Sequence, residues 1–219
     1  MPNRAAVLLS AALLGLTLHA VPAFPVPPAG RSAALADLSA GDPARRAEAI
    51  VWIANHGTAK DSKLLYPRLR DESARVRDYA ETALWALWSR SGDSALDELL
   101  ARGVEEMNAG RQRQAIATFS EIIREKPSFT EAWNKRATAY FLAGRYQESI
   151  ADCEQVLKRN PRHFGALSGL GQIHLALGED ERALAWFRRA LAVNPNLTGV
   201  ALTIKALEDK IERRRDRMI

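Results

Sequence analysis

The sequence holds one cysteine, Cys153, in 219 residues. A lone thiol excludes an intramolecular disulfide, so packing alone must hold the fold. No stretch alternates apolar and polar residues between turn signals, which argues against a sheet. Low-complexity tracts are missing: ten prolines and thirteen glycines are spread along the chain. Neither sign of charge dominates. The net charge of +5 comes from interspersed acids and bases, a balance with little pull toward nucleic acid or anionic membrane. The basic stretch "ERRRDR" near the end is broken by Glu212 and Asp216 and reads as a solvated helix end.

Sites for chemistry are scarce as well. A G-x-S-x-G nucleophile motif is absent, and Ser168 lies between Leu167 and Gly169, the wrong context. His56, His163 and His174 stand at no metal-ligand spacing from cysteine or carboxylate. The glycine cluster "GALSGLGQ", Gly165–Gln172, resembles a phosphate loop at first sight. A dinucleotide fingerprint would need a third glycine where His174 stands, after a strand, and a P-loop would need a lysine in place of Gln172. No catalytic residue, cofactor or metal is therefore expected. Cys153, in an apolar context, is expected to be a buried, poorly reactive thiol.

The N-terminus is set apart. Arg4 precedes an uncharged apolar run, Ala5–Leu18, and small residues follow at Val21 and Ala23. This pattern reads as a secretory signal peptide over residues 1–23, with a proline-rich leader over 24–32. The run is shorter than the about 20 residues of a membrane span, so membrane contact is expected only in transit. Export to a periplasm or secretion follows. An organelle lumen and an uncleaved N-terminal anchor are the alternatives.

The rest of the chain repeats itself. Prolines stand at 127, 161 and 195 and glycines at 110, 144 and 178, each 34 residues apart. Leu99, Trp133 and Leu167 form a large apolar column at the same step. Gly103, Ala137 and Gly171 form a small one, and Phe119, Cys153 and Phe187 another. Each unit holds two helix-length segments, near Thr130–Ala143 and Tyr146–Arg159 in the middle one. Gly144 can end the first and Pro161 the second. Trp133, Ala137, Tyr140, Ser149, Cys153 and Pro161, with Leu167, Leu170, Gly171, Ala183, Phe187, Ala190 and Pro195, make this region resemble the tetratricopeptide repeat (TPR), a 34-residue helix–turn–helix. The resemblance covers 96–129, 130–163 and 164–197. It departs at Arg136, where leucine is usual, and at Glu106 and His174, where tyrosine is usual. Residues 198–219 read as a capping helix, with Val200, Ile204, Leu207 and Ile211 on its apolar face, and a basic tail.

Residues 33–92 are periodic at a 31-residue step: Leu38 with Leu69, Arg46 with Arg77, Ala49 with Ala80, Ile53 with Leu84. They look like two short HEAT-like repeats. The tryptophans are expected in the core, with Trp85 inward and Trp88 outward. The fold expected is an all-α, right-handed helical-repeat solenoid.

The TPR resemblance implies a concave groove lined by the first helix of each repeat. By alignment it presents Met107 and Asn108 from the first repeat. Glu131, Asn134, Lys135, Thr138 and Phe141 come from the second, and Gly165, Ser168, Gly169, Gln172 and Leu175 from the third. Gly165 and Gly169 are expected to leave a flat floor, and Gly171 to pack closely. One TPR subgroup clamps carboxylates with cations from several repeats. Here only Asn134 and Lys135 could serve, so that ligand is not expected. These features point to a non-catalytic scaffold for a protein or peptide partner. The alternative is a structural role with the capping helix docking on a second copy, a homo-oligomer. N-terminal sequencing of the mature protein should begin at Phe24; a start at Met1 would exclude cleavage.

Overall fold

The structure, a computed structural model, describes residues 27–216. The expected signal peptide, the first residues of the leader and the last of the basic tail lie outside the described residues. Eleven α-helices and two 3-10 turns are present among them, with no strand. The helices before the 34-residue units are α1 (Arg31–Asp37), α2 (Pro43–His56), α3 (Ser62–Leu65) and α4 (Ala74–Trp88). The units are the pairs α5 (Ser94–Asn108) with α6 (Gln112–Glu125), α7 (Thr130–Leu142) with α8 (Tyr146–Arg159), and α9 (Phe164–Ala176) with α10 (Asp180–Val193). Last comes α11 (Thr198–Asp216). The all-α helical-repeat fold is as expected.

The repeated residues act alike in each unit. Gly110, Gly144 and Gly178 have φ of 73°, 72° and 75°, the left-handed region that lets a helix end in a tight turn. Lys126, Asn160 and Asn194, each before a proline, leave the helical region with φ of −133°, −136° and −123°, because the proline ring disfavours it. Between the paired helices, a Cβ on Gly103 would lie 2.4 Å from the Phe119 ring, and one on Gly171 2.5 Å from Phe187. The middle repeat reverses the exchange: Ala137 carries the methyl, and the smaller Cys153 packs in the same cluster.

Each polar departure from the TPR pattern finds a polar partner. Arg136 on α7 makes a two-pronged pair with Asp152 on α8, at 2.7 and 2.8 Å, and donates to Ser120 Oγ on α6 at 2.9 Å. Glu106 accepts from the Thr118 hydroxyl at 2.7 Å, and His174 Nδ1 lies 2.5 Å from Glu179 Oε2. At each position a hydrogen bond within or between repeats stands in for the usual apolar packing. Helix α11 caps the stack. Leu207 and Ile211 are buried against Ala183, Leu184 and Phe187, with Val200 and Ile204 beside them. Asp180, fully buried, accepts from Lys210 at 2.8 Å and Arg214 at 2.5 Å. The apolar face of α11 thus covers the last repeat, as its pattern implies.

The 31-residue period has a physical basis too. Arg46 Nη1 donates to the carbonyls of Ala40 and Gly41 at 2.8 and 2.9 Å. Its counterpart Arg77 donates to the carbonyls of Asp71 and Glu72, one period later, at 2.9 and 3.1 Å. Arg46 also forks onto the Asp71 carboxylate at 2.8 and 2.7 Å, joining the first half to the second.

These N-terminal helices turn back on the repeats. Their core takes in Phe164 at the start of α9, with Val193 and Leu197 packed against it. Polar contacts follow the loops that join one repeat to the next. Tyr66 OH donates to Asn160 Oδ1 at 3.1 Å, Asn194 Nδ2 to Glu81 Oε2 at 2.9 Å, and Asn196 Nδ2 to the Leu69 carbonyl at 2.8 Å. Arg70 donates to the carbonyls of Ala192 and Val193 at 2.5 and 3.2 Å. Trp88, expected outward, is the deeper tryptophan. It is 5% exposed, donates to Ser62 Oγ at 2.9 Å, and stacks on His163 with centroids 4.2 Å apart.

The glycine–phenylalanine contact makes a direct test. Gly171→Ala should cost about 1–3 kcal/mol, the usual cost of overpacking. Phe187→Cys should cost about 3 kcal/mol or more through its cavity. The double variant reproduces the middle repeat's pair, so denaturant melts should show it more stable than the sum of the two losses by at least about 1 kcal/mol.

Candidate functional site

The first helices α7 and α9 line the concave side, and α4 closes their N-terminal ends. Trp85 meets Phe164 edge-on with centroids 5.2 Å apart, and Lys135 Nζ lies 5.5 Å from the Trp85 ring. A Cβ on Gly165 would come within 2.4 Å of the Trp85 ring. Gly165 therefore admits a tryptophan from the same chain, and the flat floor expected there is covered.

Glu131 also departs from expectation. Predicted to face the groove, it is completely buried. The His163 ring accepts the Ala166 N–H through Nδ1 at 3.1 Å, which leaves the ring proton on Nε2. From there it donates to Glu131 Oε2 at 3.1 Å. Asn134 Nδ2 donates to Oε1 at 3.1 Å, and Lys135 Nζ lies 3.2 Å from it. Burial alone would raise the Glu131 carboxyl. The hydrogen bonds from His163 and Asn134 and the Lys135 charge outweigh it and hold the group below the ordinary carboxylate range. Asn134 is buried at the same point, and Lys135 is committed to Glu131. A polar trio expected to greet a ligand instead ties α7 to α9 and, through Trp85 and Trp88, to the N-terminal helices.

Past this closure lies a cleft of about 330 Å³ between α7 and α9. Of the expected groove residues it brings together Asn134, Thr138, Phe141, Gly165, Ser168, Gly169 and Gln172. Ala137, Leu142, Ser149, Cys153 and Ile173 complete the lining. Gly169 keeps its expected place: a Cβ there would sit 3.6 Å from Cys153 Sγ, an ordinary contact, so the floor is open above it. Met107, Asn108 and Leu175 are not among the residues that line the cleft. Met107 packs into the first repeat's core and Leu175 against the α10–α11 cluster. The Cys153 thiol is pushed up to about 12, by burial first and then by the Asp152 and Glu154 charges, and so stays unreactive at neutral pH. Among the described residues, no group of three His, Cys, Asp or Glu side chains could hold a metal ion. None of their helices is long and apolar enough to cross a membrane.

Stacked helix pairs around a concave cleft, closed by a capping helix, define a helical-repeat scaffold. Two tetratricopeptide repeat models match, one over residues 128–196 and the other over 100–155. A TPR repeat-containing protein of Rhizobium etli is 30% identical over 158 residues, covering 70% of this chain and 78% of that protein. The chain belongs to the tetratricopeptide repeat family. Among solved structures, the Sgt2 TPR domain from Aspergillus fumigatus superposes with a TM-score of 0.53 at 19% identity, over 57% of this chain and 83% of that one. The first TPR of Spaghetti (RPAP3), bound to the HSP90 peptide SRMEEVD, gives 0.51 at 21%, over 53% and 93%. The TPR2B domain of yeast Sti1 in its pHsp70 complex gives 0.50 at 19%, over 54% and 99%.

The buried carboxylate has a pH signature. Because Glu131 sits below its ordinary value in the folded chain, its stabilising contribution is complete above about pH 4.3 and disappears as the pH falls through the lowered folded value. Glu131→Gln should cost on the order of 3 kcal/mol at pH 7. Urea melts in steps from pH 7 to pH 3 should show that gap narrowing in acid.

Proposed function

We propose that the chain is a non-catalytic interaction scaffold that holds a peptide or protein partner in the concave cleft between α7 and α9. The observation that carries this reading is the cleft itself. It is an open part of the concave face beside the Trp85 closure, and Thr138, Leu142 and Gln172 stand exposed around it. One structural relative is bound to an HSP90 peptide and another is in a pHsp70 complex, which supports recognition of a partner segment. Residues 33–92 are read as two HEAT-like repeats on the strength of the matching Arg46 and Arg77 contacts. Their work is to brace the repeats. Action in an exported compartment rests on the N-terminal signal pattern.

Thr138→Arg with Gln172→Arg places two cations at exposed positions on the cleft. Capture of partners from the native compartment should fall at least tenfold, with the circular dichroism melt unchanged. Undiminished capture by a folded double variant would refute the groove reading.

A further inference from the structure

We propose that the cleft is a selective pocket for one uncharged, bulky apolar side chain of a partner segment, whose backbone is met by the Ser168 hydroxyl and the Gln172 amide. The proposal rests on the groove reading above and deepens it by naming the chemistry of the partner.

Four observations support it. The walls are apolar: Ala137, Phe141, Cys153 and Ile173 form them. No lining residue is an acid or a base, and Lys135, next in sequence to the lining residue Asn134, is paired with the buried Glu131 at 3.2 Å. A charged side chain would lose its water there without gaining a counter-ion, a cost that an apolar one does not meet. Ser168 Oγ is buried and has no hydrogen-bond partner among the described residues. A buried hydroxyl left unpaired is costly, so a ligand that brings an amide to it gains twice. Finally, the cleft's volume of about 330 Å³ lies at the lower end of small-ligand sites, about 300 to 1,000 Å³. That suits a side chain better than a cofactor. Leu142, 51% exposed on the lip, extends the apolar surface to a residue beside the anchor.

The sequence feature behind this pocket is Gly169. Any larger residue would project into the cleft from a Cβ in ordinary contact with Cys153, so it fills the pocket without disturbing the core.

Capped pentapeptides of alanine differing only in the central residue (Leu, Phe, Asp or Lys) should be titrated into the full chain and followed by amide chemical shifts. The Leu and Phe peptides should give saturable shifts at Thr138, Ser168 and Gly169, at least tenfold tighter than the Asp and Lys peptides. Gly169→Leu should remove this binding while keeping the melting midpoint, and Ser168→Ala should weaken it severalfold. Equal binding of all four peptides, no saturation with Leu or Phe, or full binding by Gly169→Leu would overturn the proposal. Toluene binding as tightly as the Leu peptide would overturn it in favour of a small apolar ligand. If the arginine double variant loses its partners while these peptides show no preference, only this inference fails. If partners persist while the peptides bind, the groove reading fails instead.

Discussion

A carboxylate removed from water must be answered where it stands, and much of this molecule is arranged around one such group. Glu131 takes hydrogen bonds from His163 and Asn134 and the charge of Lys135. His163 is in turn held by the Ala166 N–H and covered by Trp88. One residue of the second repeat, one of the loop to the third and one of the N-terminal helices are thereby fixed together. Moving any of them would leave the carboxylate buried without its full set of partners, a cost of several kcal/mol. The position of the cleft follows, because the closure determines which part of the concave face remains open.

The repeats were legible because their grammar is local. A 34-residue step places glycine at each helix turn and proline after each second helix, and both act through their own backbone. The helix limits of the middle unit emerged within a residue of those read from the sequence. The small column could be read too, since Gly103 and Gly171 face phenylalanines only sixteen residues further on. The N-terminal docking could not be read this way. Trp85 against Gly165, and Tyr66 against Asn160, are contacts between two different periodicities, and no step within either one records them. Glu131 was misplaced for a related reason: its bond to His163 reaches 32 residues along the chain, to the loop before the next helix, and its own column does not record that partner.

The departures from the repeat pattern carry a related lesson. Arg136, Glu106 and His174 read as defects when each column is considered singly. Each is paired with a second polar residue, Asp152, Thr118 or Glu179. The exchange of Gly–Phe for Ala–Cys between repeats works likewise by volume. In both cases the unit conserved along the stack is the contact and not the residue.

The turn back of the N-terminal helices also alters the order in which the chain can complete itself. A plain repeat stack grows from neighbour to neighbour, and each layer can settle once the one before it is in place. Here the hydrogen bonds of Tyr66, Arg70 and Leu69 reach partners 94 to 127 residues further along. The helices synthesised first cannot bury Trp88 on His163 until the end of the second repeat has emerged. Loops of that span are slow to close, so an early-made surface with two tryptophans must wait for its cover. Any compartment in which this protein matures has to shelter that surface in the interval.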